Sequence, residues 1–177
     1  DSEETTDLLT NRTITTLIRY DALDRPIRII HTNTSTEEQI AYDMADREIE
    51  KKLLGADGSV LSIVTTAYDR AGRVIESGVG RAGTMAVTKT TYGAFGKPIA
   101  ITGPDGTTTH LSYNPSVRWT DGQTYAQQIT TDGRGIVTEQ LLDANDQVRL
   151  SITKDPFGTL LSRQEVTCSL LGKPILI

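Results

Sequence analysis

A seven-residue cassette recurs along this chain of 177 residues and restricts its fold more than any other feature. Tyr20-Asp21-Ala22-Leu23-Asp24-Arg25-Pro26, Tyr42-Asp43-Met44-Ala45-Asp46-Arg47-Glu48 and Tyr68-Asp69-Arg70-Ala71-Gly72-Arg73-Val74 are full copies. Tyr92-Gly93-Ala94-Phe95-Gly96-Lys97-Pro98 is a looser one. Repetition of this kind marks an array of supersecondary units. The cassette itself reads as a hairpin. Asp opening a type I turn bonds its own backbone ahead, and a following residue with positive φ closes a three-residue loop with a bulge. Gly72 and Gly96 accept positive φ freely, and Asp24 and Asp46 tolerate it better than most residues. Tyr then ends the incoming strand and Arg or Lys begins the outgoing one, with Asp and Arg facing each other at the hairpin mouth.

The tyrosine array sets the length of the unit. Tyr20 and Tyr42 lie 22 residues apart, Tyr42 and Tyr68 26, Tyr68 and Tyr92 24, and Tyr92 and Tyr113 21. Such a repeat holds two strands and two turns. Asp57-Gly58, Asp105-Gly106, Asp121-Gly122 and Asp132-Gly133 supply hairpin signals for the second turn of each unit. Flanking runs read as strands: Val148, Leu150 and Ile152 alternate with polar residues, and Pro26 and Pro98 open strands as first residues, where no ladder bond is lost. Asn114-Pro115 breaks the pattern and is expected to impose a different turn. Looser copies follow at Leu142–Val148, Lys154–Leu160 and Cys168–Pro174, at closer intervals. Residues 35–54 carry a competing signal. Ser35-Thr36-Glu37-Glu38 has the form of a capping box, and Ile40, Met44, Ile49 and Leu53 recur at near-helical spacing. The flanking cassettes are in phase with the copy at Tyr42, so the reading is a hairpin.

Composition narrows function. At 37% hydrophobic and 23% charged residues the chain is ordinary for a folded protein, and only 5% aromatic, which favours thin sheet over a thick core. The net charge of −5 comes without the Lys/Arg cluster that nucleic acid demands. No run is long enough for a membrane helix. The acidic start, Asp1 to Asp7, is unlike a signal peptide. Cys168, the single cysteine, excludes an internal disulfide and reads as a buried, inert thiol.

Chemistry-bearing motifs are sparse. His31 and His110 have no ligand or triad partner at recognisable spacing. Gly78-Val79-Gly80-Arg81-Ala82-Gly83 spells the Gly-x-Gly-x-x-Gly of dinucleotide-binding folds, but residues 84–91 read as strand where a helix would be needed, so a long hairpin connection is expected. Asp105, Asp121, Asp132 and Asp146 are assigned to turns, and no calcium-loop ligand series is present. Catalytic, cofactor and metal residues are therefore expected to be none. Trp119, with Arg118 beside it and Tyr125 nearby, is the one recognition candidate, since these types are enriched at binding hot spots.

Tyr-Asp-x-x-Gly-Arg repeated every twenty-odd residues resembles the YD repeat of RHS proteins, best at Tyr68–Val74 and extending from Tyr20 to Pro174. That family includes polymorphic toxins, the B and C subunits of bacterial Tc toxin complexes, and animal teneurins. The resemblance implies an all-β fold of repeated antiparallel hairpins forming a curved, spiralling sheet, a segment of a hollow shell. It also implies export as part of a larger toxin, with an effector polypeptide enclosed and no catalysis in this segment. Residues 1–19 then form a lead-in with the first strand, and 20–177 the repeat sheet, strong to about residue 98 and degenerate after. Asp155-Pro156-Phe157-Gly158 shares letters with the family's autoprotease motif, but its surroundings do not match and it reads as another turn. Open edges of such a strip must be paired or covered. The remainder of the shell is the expected partner, with an edge-to-edge homodimer as a further possibility. Gly172 to Ile177 reads as the start of another strand. The other function considered is an exported β-repeat module that recognises carbohydrate or a cell-surface protein.

Overall fold

The computed structural model describes the backbone of residues 2–7, 12–168 and 174–175 and the side chains of residues 16–166. Among these residues the chain is all β, with sixteen strands and no helix. It divides into two compact units, Asp1–Lys89 and Thr90–Ile177.

In the first unit β1 (Ser2–Asp7), β2 (Arg12–Tyr20), β3 (Pro26–His31) and β4 (Thr36–Tyr42) are followed by β5 (Glu48–Leu54), β6 (Val60–Tyr68), β7 (Val74–Arg81) and most of β8 (Thr84–Tyr92). Each pairs antiparallel with the next in chain order. The stretch with the competing helical signal is therefore the β4–β5 hairpin. In the second unit β9 (Pro98–Thr102), β10 (Thr108–Arg118), β11 (Thr124–Thr131), β12 (Val137–Leu142), β13 (Val148–Lys154) and β14 (Leu160–Glu165) pair the same way. There β15 (Thr167–Cys168) pairs with β16 (Pro174–Ile175). The rest of the Cys168–Pro174 copy, and the burial expected for the Cys168 thiol, lie outside the described residues.

Ten turns share one backbone pattern. The first residue donates its N–H to the carbonyl of the fifth at 2.8–3.0 Å, and the fourth donates back to the carbonyl of the first at 2.9–3.3 Å. The fourth residue has positive φ each time: Asp24 at 58°, Asp46 at 61°, Gly72 at 81° and Gly96 at 73° in the cassettes. A register shift beside the turn, as at Arg19/Tyr20, supplies the bulge. Tyr20, Tyr42, Tyr68 and Tyr92 each end a strand, and Pro26 and Pro98 each open one.

The buried core is small. Among the described residues only Ile40, Leu141 and Leu150 are apolar and buried. Leu141 and Leu150 face each other across β12 and β13, so the alternation read at Val148–Ile152 marks the best-buried pair of the second unit.

Several expectations need correction. Asn114-Pro115 makes no turn: β10 runs through it with a register shift between Asn114 and Val117, and proline is tolerated at such a bulge. The chain reverses instead at Trp119–Gln123, so Tyr113 lies within a strand and does not mark the fifth unit. Asp121-Gly122 accordingly belongs to that turn, after β10. Asp132-Gly133 opens a turn whose positive φ falls at Gly135, so it is an Asp-first turn like the cassettes. Finally, Gly78 and Gly80 lie inside β7 and only Ala82-Gly83 turns the chain, with Arg81 paired to Thr84. That connection is shorter than expected. The closer spacing of the late copies also has a simple cause: Asp143–Gln147 and Asp155–Thr159 are consecutive turns, at opposite ends of β13.

Candidate functional site

The cassettes of the first unit are joined to one another. Asp21 accepts N–H bonds from Leu23 and Arg25 through Oδ1 at 2.9 and 3.1 Å, and through Oδ2 it holds the Arg25 guanidinium at 2.6 Å. Asp43 treats Ala45 and Arg47 the same way, and Asp69 treats Ala71 and Arg73. The arginine also reaches forward. Arg25 lies 4.7 Å from the centre of the Tyr42 ring, bonds the Asp43 carbonyl and pairs with Asp46 at 2.6 Å. Tyr42 in turn donates its hydroxyl to the Pro26 carbonyl at 3.0 Å. One unit on, Arg47 sits 4.4 Å from the Tyr68 ring and reaches the Asp69 carbonyl, while Tyr68 donates to the Glu48 carbonyl at 3.2 Å. Arg25 and Arg47 thus each neutralise their own aspartate and cover the next tyrosine, a cation–π contact added to hydrogen bonds.

Electrostatics follow this geometry. The hydrogen-bonded guanidinium of Arg25 holds Asp21 below the usual carboxylate range, and Arg47 does the same to Asp43. For Asp69 the Arg73 N–H leads and its guanidinium follows. These carboxylates are ionised with their oxygens already occupied. They lock turns.

The second unit handles the same turn differently. In Leu142–Val148 the neutral Gln147 stands at the position of the cassette base. Asp143 still accepts from Asn145 and Gln147 N–H, and the Gln147 N–H is the main cause of its lowered pKa. The cation comes from Arg149, whose Nε bonds Asp143 at 2.7 Å. A second turn grammar places Asp third: Asp57, Asp105 and Asp121 accept the N–H of Ser59, Thr107 and Gln123.

The recognition candidates separate. Trp119 is half-buried as first residue of its turn, and Tyr125, paired with Val117, donates its hydroxyl to Asp121 at 2.7 Å. That bond raises the Tyr125 pKa. Both line a groove of about 980 Å³ with Asp121, Asp143, Arg149 and Arg163. Arg118 is exposed and does not line it. His31 lies 3.5 Å from Glu38 across β3 and β4, while His110 is exposed on β10. Among the described residues no group of three or more His, Cys, Asp or Glu side chains is placed to hold a metal. The forward contacts of Arg25 and Arg47, and the substitution of Arg149 for Gln147, went unread in the sequence. The available signal was an arginine two residues after Gln147, at the second position of β13.

The fold and contacts define an all-β array of interlocked hairpins. No family model matches the chain, and no curated protein matches it. Solved structures that it resembles include crystal structures of TcdB2-TccC3, at 13% identity and a TM-score of 0.32, and the Photorhabdus luminescens Tc holotoxin pore, at 12% identity and 0.32. The match covers 94% of this chain but 12% of theirs. A likeness this loose assigns neither activity nor partner.

Proposed function

We propose that this chain is a non-catalytic structural segment of an RHS-type β-shell that encloses or presents an effector polypeptide, exported as part of a larger toxin. The supporting observation is the forward lock, Arg25 on Tyr42 and Arg47 on Tyr68, which ties each hairpin to its successor. Such a sheet gains its rigidity from turn to turn and needs little buried core. Tyr20, Tyr42, Tyr68 and Tyr92, with the Asp and Gly positions of their cassettes, then serve the wall itself. The open edges are met by further strands of the shell; an edge-to-edge dimer is the alternative that sedimentation of the natural product would reveal. The test is limited proteolysis of the intact natural gene product with mass-spectrometric mapping. A protected segment outside residues 1–177, freed when Gly72→Val loosens the wall, is expected. A product with no protected segment overturns the reading.

A second reading has its own observation. The Trp119–Tyr125 groove combines aromatic rings with paired charges, a composition suited to carbohydrate or a cell-surface protein. Surface and glycan binding by the intact protein, lost in Trp119→Ala, would favour this module; equal failure of both proteins would remove it.

A further inference from the structure

Three bases face a tyrosine directly across the ladder, and one register rule finds each of them. The pairs Arg28–Gln39, Glu50–Thr65 and Ala100–His110 lie three steps inside Arg25–Tyr42, Arg47–Tyr68 and Lys97–Tyr113. In every case the cation covers the ring, at 4.7, 4.4 and 4.7 Å from its centre. Tyr20 ends β2 in the same manner, but its ring is 43% exposed, where Tyr42, Tyr68 and Tyr113 are half-buried. Among the described residues no cation stands over the Tyr20 ring, and its hydroxyl has no hydrogen-bond partner.

Charge points the same way. At the next hairpin Arg25 joins the Tyr42 ring, the Asp43 carbonyl and the Asp46 carboxylate, the last at 2.6 Å. Tyr20, Asp21 and Asp24 hold the equivalent places, and Asp24 enters none of the ion pairs among the described residues. An exposed ring beside an unpaired carboxylate fits a basic side chain. Register names its bearer. The Ser2–Leu17 pair is again three steps inside Tyr20, so Tyr20 faces the position two places before Asp1. We propose that the natural chain carries a basic residue at that position, the base of a hairpin leading into β1, which covers Tyr20 and pairs with Asp24. The Tyr20 hydroxyl then donates to the carbonyl of the residue just before Asp1. Tyr42 and Tyr68 donate in this way to Pro26 and Glu48, each one place after its base. The proposal rests on the shell reading in taking these strands as part of a longer sheet. The Asp24 pair is solvent-exposed and adds little to stability, so the ring contact is the part to measure.

The experiment is peptide sequencing by mass spectrometry of the intact natural gene product across Asp1. Arginine or lysine two places before Asp1 is expected. Any other residue there, or a natural product that starts at Asp1, overturns the proposal. The basic residue is then replaced by methionine in the intact protein. Amide exchange across Asp21–Arg25 is expected to rise about two- to fivefold, the scale of one cation–π contact. The same replacement is expected to have no further effect in a Tyr20→Leu background. An unchanged rate, or an equal rise in that background, overturns the contact. If Tyr20→Leu does not fold, the methionine variant alone decides. None of these readouts depends on a protected segment elsewhere in the product, so this proposal and the shell reading fail separately.

Discussion

The turn at Asp43–Arg47 and the turn at Asp143–Gln147 have the same backbone and different wiring. In the first, one arginine serves its own aspartate and the next tyrosine. In the second, the cassette position holds Gln147, Arg149 takes over the aspartate, and no tyrosine ends the strand, which finishes at Leu142. The comparison shows which parts of the cassette make a turn and which join units. Aspartate and the positive-φ residue suffice for the hairpin. Tyrosine and arginine are needed only where successive hairpins interlock through side chains. Where they are absent, buried apolar pairing at Leu141 and Leu150 accompanies their loss.

The strongest way to break this comparison is Gly72→Val. Gly72 sits at φ 81°, and a β-branched residue there is strained by about 1–3 kcal/mol. Faster amide exchange around Asp69–Arg73 and a lower unfolding midpoint are expected; an unchanged midpoint contradicts the turn assignment. Next comes Arg47→Gln against Gln147→Ala. The first removes a ring contact that contributes about 0.5–1 kcal/mol, together with its ion pair, while the second removes neither. Equal effects on local hydrogen exchange would erase the distinction between the two regions. Exchanging the pair, Gln147→Arg with Arg149→Gln, is expected to preserve stability, because Asp143 keeps a guanidinium; a marked loss would show that Arg149 does more than replace the cassette base.

A pH series sharpens the comparison further. Asp21, Asp43 and Asp143 have carboxyl groups held below their ordinary values. Their contribution is complete above about pH 4 and fades as pH falls through the depressed folded values. Asp43→Asn should flatten that acid limb, and an unaltered limb would deny the lock its electrostatic part. The smallest effect is expected for Asp24→Gly, which eases a residue at φ 58° and slightly raises the midpoint; clear destabilisation would mean that Asp24 has a side-chain role.

Turn chemistry was the legible part of this chain, because it depends on residues within five positions. Asp-first loops, positive φ at Asp24, Asp46, Gly72 and Gly96, and proline-led strands follow from local sterics and were read correctly. Contacts between units were not, since Arg25 meets Tyr42 only once β3 and β4 are paired. Tyr113 misled because it matched the cassette by letter, while the register belonged to Trp119, which shares no letter with it. The recognition candidates divided for a similar reason: Trp119 and Tyr125 meet through the hairpin they flank, whereas Arg118, one residue away, falls on the other face.

The forward reach of Arg25 and Arg47 gives the array a direction. Every interlocked hairpin carries a plug at its outgoing strand and a socket at its incoming one, so neighbouring modules are interchangeable at the joint. A gene encoding such an array can gain or lose whole modules by duplication or deletion, with the junction already complete in each copy. Growth by partial modules is penalised, since it separates a plug from its socket. In β10, where Arg118 replaces the strand-ending tyrosine, Tyr113 serves as a substitute socket five residues early.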